Sequence, residues 1–271
     1  MSYEFILVDQ DEHGIVTVTI NDPDAKNAVN WTMNAELVAE IERIDRDPTA
    51  RVMILTAIGR IFCSGGNISK IISTGKVLEP PNPTMRELLF PSEADIKHVV
   101  TSLRQMSKPV IAAINGPAVG SGIGLAVGCD IRIASTASRF GWVFVKRGIV
   151  PDDGSLFYMQ QVIGYARAFE WGVTGRSLSA EQAHEIGLVN HVVEPEQLMA
   201  KAREIAMEIV ENCPPLTVQA FKLTLAESLG QSVEESSRFT ARAQDIVGAT
   251  EDHREAVRAY AERRKPVWMG R

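Results

Sequence analysis

The chain has 271 residues, 45% of them hydrophobic and 23% charged, with 28 Lys and Arg against 34 Asp and Glu and a net charge of −6. That length supports one large or two modest domains around a real core, and the composition excludes a wholly disordered chain, a collagen or an extended coiled coil. The acidic average also excludes a sequence-independent nucleic-acid coat, which works by neutralising many phosphates with Lys and Arg.

In chain order, residues 5–9 and 15–20 flank Asp11-Glu12-His13-Gly14 and predict a hairpin. Leu37, Val38, Ile41 and Ile44 predict an amphipathic helix over 31–46, and the apolar run 51–57 a buried strand. Residues 62–67 read as a strand end and turn, with a short helix near 67–73 and a long loop or lid over 74–92, where four prolines and no period occur. A second amphipathic helix is expected over 93–106 and a strand over 109–114.

The stretch between Lys108 and Asp130 has 21 consecutive uncharged residues, long enough on paper to span a bilayer. Asn115-Gly116-Pro117 breaks it, so it reads as a buried strand, a tight turn and a short glycine-rich helix over 119–128, with no membrane span. Extended segments follow at 129–134 and about 140–145. Helices are expected at 155–163, 165–172, 179–186 with Ser179 and Gln182 as a capping box, 195–212, 215–229, 232–248 and 252–264, with 188–193 extended. This order predicts an α/β region over 1–197 and a helical region over 198–271.

Several chemistries find no support. Cys63, Cys129 and Cys213 form no CxxC pair and read as small buried side chains in a reducing, cytoplasmic setting, and the N-terminus lacks the basic and long apolar regions of a secretory signal. Gly120-Ser121-Gly122-Ile123-Gly124 lacks the spacing of a dinucleotide fingerprint, no P-loop is present, and His184-Glu185 does not complete a zinc motif. No metal or separate cofactor is expected. Cys63 has no histidine placed to activate it and reads as structural.

What remains is a repeated unit: helix, strand, glycine-rich turn, short helix, over 31–73 and again over 93–128. A glycine turn that opens a helix presents free backbone N–H groups and the positive end of the helix dipole. Two such turns, at Gly65-Gly66 and Gly120-Ser121-Gly122, are candidates to converge on one developing oxyanion.

FCSGGNISKI (62–71), AAINGPAVGSGIGLAVGCDIRIAS (112–135), TGRSLSAEQAHEIGLVNHVV (174–193) and RRKPVW (263–268) resemble the enoyl-CoA hydratase/isomerase, or crotonase, superfamily, from about residue 5 to the C-terminus. The resemblance implies a crotonase (ClpP-like) spiral core of repeated ββα units and a helical C-terminal trimerisation region, giving a homotrimer or a dimer of trimers. It implies an acyl-CoA substrate, coenzyme A being part of the substrate, whose thioester oxygen is held by the amides of Gly66 and Ser121. It also implies that Lys26, Ala28, Ser64, Gly65, Asn67, Ile68, Gly120, Phe144, Pro151 and Lys265 contact substrate or CoA. A polyanionic CoA needs local cations in an acidic chain, and the last ten residues hold Arg263, Arg264, Lys265 and Arg271 against Glu262.

The departures narrow the chemistry. Hydratases of this family carry glutamates at the positions of Gly124 and Phe144, and neither residue here can exchange a proton. GIVPDDGS (148–155) offers aspartates instead. Asp152 resembles the aspartate of dienoyl-CoA isomerases, β-hydroxyisobutyryl-CoA hydrolases and halobenzoyl-CoA dehalogenases, and Asp153 that of β-diketone hydrolases. Trp142, Phe144 and Phe157 predict a bulky apolar lining and a desolvated Asp152 carboxylate of useful acid/base strength. One of the two aspartates is also a candidate cap for the helix starting near 155. Glu87, Glu93 and His98 are candidates for a second proton-transfer group. The expectation is enolate chemistry on an acyl-CoA, most economically double-bond isomerisation with Asp152 as acid/base. Alternatives are hydrolysis through Asp152 or Asp153, and a catalytically weak acyl-CoA-binding paralogue.

Overall fold

In the computed structural model, residues 3–66 and 98–271 are described. The helix expected near 67–73, the loop over 74–92, the start of the 93–106 helix and the candidate residues Asn67, Ile68, Glu87 and Glu93 lie outside the described residues.

The hairpin forms as the sequence predicts. Strand β1 (Ile6–Gln10) pairs antiparallel with β2 (Ile15–Ile20), and the Asp11 carboxylate accepts the N–H groups of His13 and Ile15 to close the turn. From β2 the sheet continues in parallel through β3 (Val52–Ala57), β4 (Val110–Ile114), β6 (Ile131–Ser135) and β9 (His191–Val193). Its central strands are buried on both faces, which is why they read as unbroken apolar runs.

Side chains alternate between two cores. Met53, Leu55, Ala112 and Ile114 face helices α1 (Trp31–Arg46) and α2 (Val99–Gln105), where Leu37, Ile41, Ile44, Val100 and Leu103 meet them. Val52, Ile54, Ile111 and Ala113 face α7 (Leu198–Asn212) through Leu198, Ala202, Ala206 and Val210. Helix α7 thus covers the second face of the sheet. The three helices after it, α8 (Pro215–Glu227), α9 (Val233–Gly248) and α10 (Glu251–Glu262), carry little buried side-chain surface.

Between β4 and β6 the chain makes the two-residue strand β5 (Ala118–Val119) and helix α3 (Ser121–Gly128), whose residues after Ser121 are all buried. The long uncharged stretch therefore folds as strand, turn, strand and helix. No described helix is long and apolar enough to cross a membrane. A second sheet joins β5 to β7 (Arg139–Gly141) and β8 (Ser177–Ser179). The strand expected over 140–145 ends at Gly141, because Phe144 takes a helical conformation that opens a short 3-10 turn at Val145–Arg147. Helices α4 (Ser155–Ile163), α5 (Tyr165–Thr174) and α6 (Ala180–Glu185) follow, and Ser179 and Gln182 form the expected capping box.

Candidate active site

The two glycine turns meet along β5. The N–H groups of Phe62 and Cys63 both donate to Pro117 O at 3.1 Å, and Val119 N–H donates back to Cys63 O at 2.9 Å. Missing side chains permit this approach. At Gly65, with φ +102°, a Cβ would stand 3.0 Å from Val119 O, and at Gly122 it would stand 2.6 Å from Cys63 O. Cys63 is wholly buried, and desolvation pushes its thiol up to about 11, as expected of a packing residue.

A third segment braces the first turn. Ser64 N–H donates to Lys26 O at 3.2 Å, and Val29 N–H donates to Gly65 O at 2.8 Å. The latch is Asn27, a residue that sequence reasoning left without a role. Buried and left-handed at φ 55°, it donates from Nδ2 to Ile58 O and Ile61 O at 3.1 and 2.7 Å and accepts Asp22 N–H at Oδ1. Its tolerance of positive φ, shared by few other residues, was the available signal. Lys26 and Ala28 thus stand beside Ser64 and Gly65, with the Lys26 side chain exposed.

Ser121 is the first residue of α3, so the helix supplies no acceptor for its N–H. Among the described residues neither the Gly66 nor the Ser121 N–H has an acceptor. Both residues line one crevice with Ser64, Gly120, Phe144 and Arg147. Phe144 is 6% exposed and also borders an apolar cavity of about 420 Å³ walled by Trp142, Pro151, Leu156, Tyr165 and Phe169. Phe157 is not part of that wall. It is half-exposed and packs its ring on Tyr158.

Ser121 also borders a small cavity with Asn34, His98, Leu125, Asp152 and Asp153. The structure therefore brings both aspartates and His98 next to the second glycine turn. The expected desolvation of Asp152 is corrected: Asp152 is exposed and Asp153, 6% exposed, is the buried carboxyl. The turn leaves one carboxyl exposed at the cavity and buries the next, and Gly154 at φ 85° lets α4 start directly after it. The N-cap of this helix is Gly154, which has no side chain to cap it, so neither aspartate is the expected cap; Asp153, one position earlier, accepts Ser155 N–H at Oδ1 at 3.0 Å, while its Oδ2 is buried without a partner among the described residues. Burial raises the Asp153 carboxyl above the ordinary range, the Asp152 carboxylate adds to this, and Ser155 and His98 oppose it.

A proton held more tightly by the folded state than by the unfolded chain makes stability fall as pH rises. The fall begins near the ordinary carboxylate value of ~4 and ends once the folded carboxyl has ionised. Asp153→Asn, isosteric and never charged, is therefore expected to melt above wild type at pH 7–8 and to converge with it near pH 3–4. Thermal melts across pH check this, and a pH-independent difference contradicts it.

Lys265 lines neither cavity: its Nζ lies 3.6 Å from Glu211 Oε2 beyond the core. Among the described residues no cluster of His, Cys, Asp or Glu is arranged to hold a metal ion.

The sequence model of the enoyl-CoA hydratase/isomerase family matches residues 10–271. A 1,2-epoxyphenylacetyl-CoA isomerase of Escherichia coli (strain K12) is 33% identical over 268 residues, 99% of each chain. An enoyl-CoA hydratase of Mycobacterium tuberculosis is 33% identical over 266 residues, covering 98% of this chain and 96% of that one. The crystal structure of an enoyl-CoA hydratase from Bacillus anthracis superposes with a TM-score of 0.88 at 30% identity, covering 99% of this chain and 100% of that one. With its mixed sheet, paired glycine turns and C-terminal helices, the chain belongs to the enoyl-CoA hydratase/isomerase family and has the α/β crotonase fold.

Proposed function

We propose that this member of a family of acyl-CoA enzymes is a double-bond isomerase in which Asp152 moves the proton. The observation that carries the reading is that, among the described residues, Asp152 is the one exposed carboxylate lining the cavity that Ser121 borders, in a site where glycine and phenylalanine stand at 124 and 144. In this reading the thioester oxygen accepts the Gly66 and Ser121 N–H groups, which stabilise the enolate formed as Asp152 takes a proton from the α-carbon of a 3-enoyl-CoA. The electron pair delocalises along the chain, and the protonated Asp152 returns the proton to C4, giving the 2-enoyl-CoA. Substrate and product are isomers, so no water is consumed and one carboxyl suffices.

Hydration would need a second group to deliver or activate water, and the Gly124 and Phe144 positions offer none. The Escherichia coli relative is named for isomerising an epoxide rather than a double bond, so it shares only the reaction class with this reading, and the hydratase names of others do not share even that. Hydrolysis through Asp153 is disfavoured because that carboxyl is buried, with its free oxygen turned away from solvent. We also assign the walls: Lys26, Ala28, Ser64 and Gly65 toward CoA, Phe144 and Pro151 toward the acyl group. The exposed apolar side chains of α8 to α10, Phe221, Leu225, Val233, Ile246 and Tyr260 among them, support a trimer or a dimer of trimers.

The test is turnover of a 3-enoyl-CoA and a 3,5-dienoyl-CoA against hydration of crotonyl-CoA by the same preparation, with light scattering expected to give three or six protomer masses. Isomerisation with little hydration is expected. Efficient hydration of crotonyl-CoA, release of free CoA, or binding without turnover would each replace the isomerase reading.

A further inference from the structure

Gly124 lies in α3 and faces the turn that carries the two aspartates. A Cβ on Gly124 would press into Asp153 Oδ2 and stand 3.2 Å from its Cγ and 3.1 Å from Val100 Cγ2. The space that a side chain at 124 would need is thus filled from the opposite side by a carboxyl of a later loop. Holding the first turn of α4 needs only the oxygen that accepts Ser155 N–H; burying the other oxygen without a partner among the described residues carries a cost that this bond does not require. Among the described residues the titratable groups that share this cavity with Asp153 are Asp152 and His98; Val29, Asn34, Val99, Val100, Ser121 and Leu125 line the rest of it.

We propose that Asp153 is a positioning residue, whose carboxyl, seated in the space left by the absent side chain of Gly124, fixes the turn over 151–154 and thereby aims Asp152 at the cavity beside Ser121. The proposal rests on Asp152 being the acid/base. It adds that positions 124 and 153 form one steric unit: a side chain at 124 and a seated carboxyl at 153 exclude each other. Small displacements of a proton-transfer group are costly, since about 1 Å of misplacement can remove two orders of magnitude in rate.

The test is a double-mutant cycle on the full chain with Gly124→Ala, Asp153→Ala and their combination, reading kcat, KM and Tm on the acyl-CoA that wild type isomerises. Asp153→Ala is expected to lower kcat by about tenfold or more with KM changed less than about threefold, and Asp153→Asn to recover most of that loss. Gly124→Ala is expected to lower kcat and to lower Tm by about 5 °C, because its methyl group displaces Asp153. In the Asp153→Ala background the clash with the carboxyl is gone and only the 3.1 Å approach to Val100 Cγ2 remains, so adding the methyl group should cost clearly less than in wild type and the two effects are non-additive. Additive effects overturn the proposal, as does unchanged kcat in Asp153→Ala. Loss in Asp153→Asn as deep as in Asp153→Ala, with an altered pH–rate profile, also overturns it and makes Asp153 itself the proton carrier. Asp152→Asn run alongside separates the two ideas: if it leaves turnover intact, the isomerase assignment and the aiming role fall together. The Tm cycle then still reports whether 124 and 153 share one space.

Discussion

Asp152→Asn is expected to lower kcat for 3-enoyl-CoA isomerisation by about 10²- to 10⁴-fold while KM changes little. The range is that of a positioned general acid–base group. Asparagine keeps the shape and hydrogen-bonding reach of aspartate, and residue 152 is exposed, so no packing is lost and Tm should stay close to wild type. The loss should therefore sit in the chemical step rather than in binding. Exchange of the substrate α-proton with deuterated solvent gives an independent readout, because it requires removal of the proton, exchange of the protonated, solvent-exposed Asp152 carboxyl with solvent, and return of a deuteron from the same base. Exchange and isomerisation should fall together. If Asp152→Asn retains more than about a tenth of wild-type kcat, another group moves the proton, and His98, which borders the same cavity, is the first to examine.

Much of this architecture was legible because burial writes itself into residue spacing. Leu37, Ile41 and Ile44 lie on one face of α1, the central strands are apolar throughout because both their faces are covered, and Asn115-Gly116-Pro117 marks the turn that divides an otherwise membrane-like stretch. The two glycine turns were legible as a pair because glycine is needed where backbones approach within the distance that Gly65 and Gly122 show. The strands β5 and β8 were not, since two or three residues carry no period and exist only through pairing with β7. Helix α7 was legible as a helix but not as the cover of the sheet's second face. Ala202 and Ala206, four apart between Leu198 and Val210, were the sign that a backbone approaches closely there. The choice between Asp152 and Asp153 was hidden for a different reason. Adjacent residues of one turn point different ways, and which one is buried depends on the volume left free by Gly124, nearly thirty residues earlier, a coupling that spacing along the chain does not encode.

The amide of Ser121 can be tested apart from its side chain. As first residue of α3 it occupies the helix position where proline is best tolerated, because that N–H has no partner within the helix and the local φ suits the ring. Gly120 before it has no Cβ to collide with the proline Cδ, which is the usual obstacle to placing proline after a residue. Ser121→Pro therefore removes one N–H from the crevice shared with Gly66 and leaves the helix able to form. Loss of a single oxyanion donor typically costs about 10²–10³ in kcat, or about 2.7–4 kcal/mol, because the remaining donor cannot compensate in a site from which water is excluded. Ser121→Pro is expected to fall in that range with helical circular dichroism retained, whereas Ser121→Ala, which keeps the N–H, should lose far less. The α-proton exchange assay adds a second discrimination. Losing an amide that stabilises the enolate must slow proton removal itself, so exchange should drop with turnover in Ser121→Pro, as in Asp152→Asn, although the proton carrier is untouched. A folded Ser121→Pro variant with near wild-type exchange would mean that the thioester oxygen lies elsewhere than between the two glycine turns.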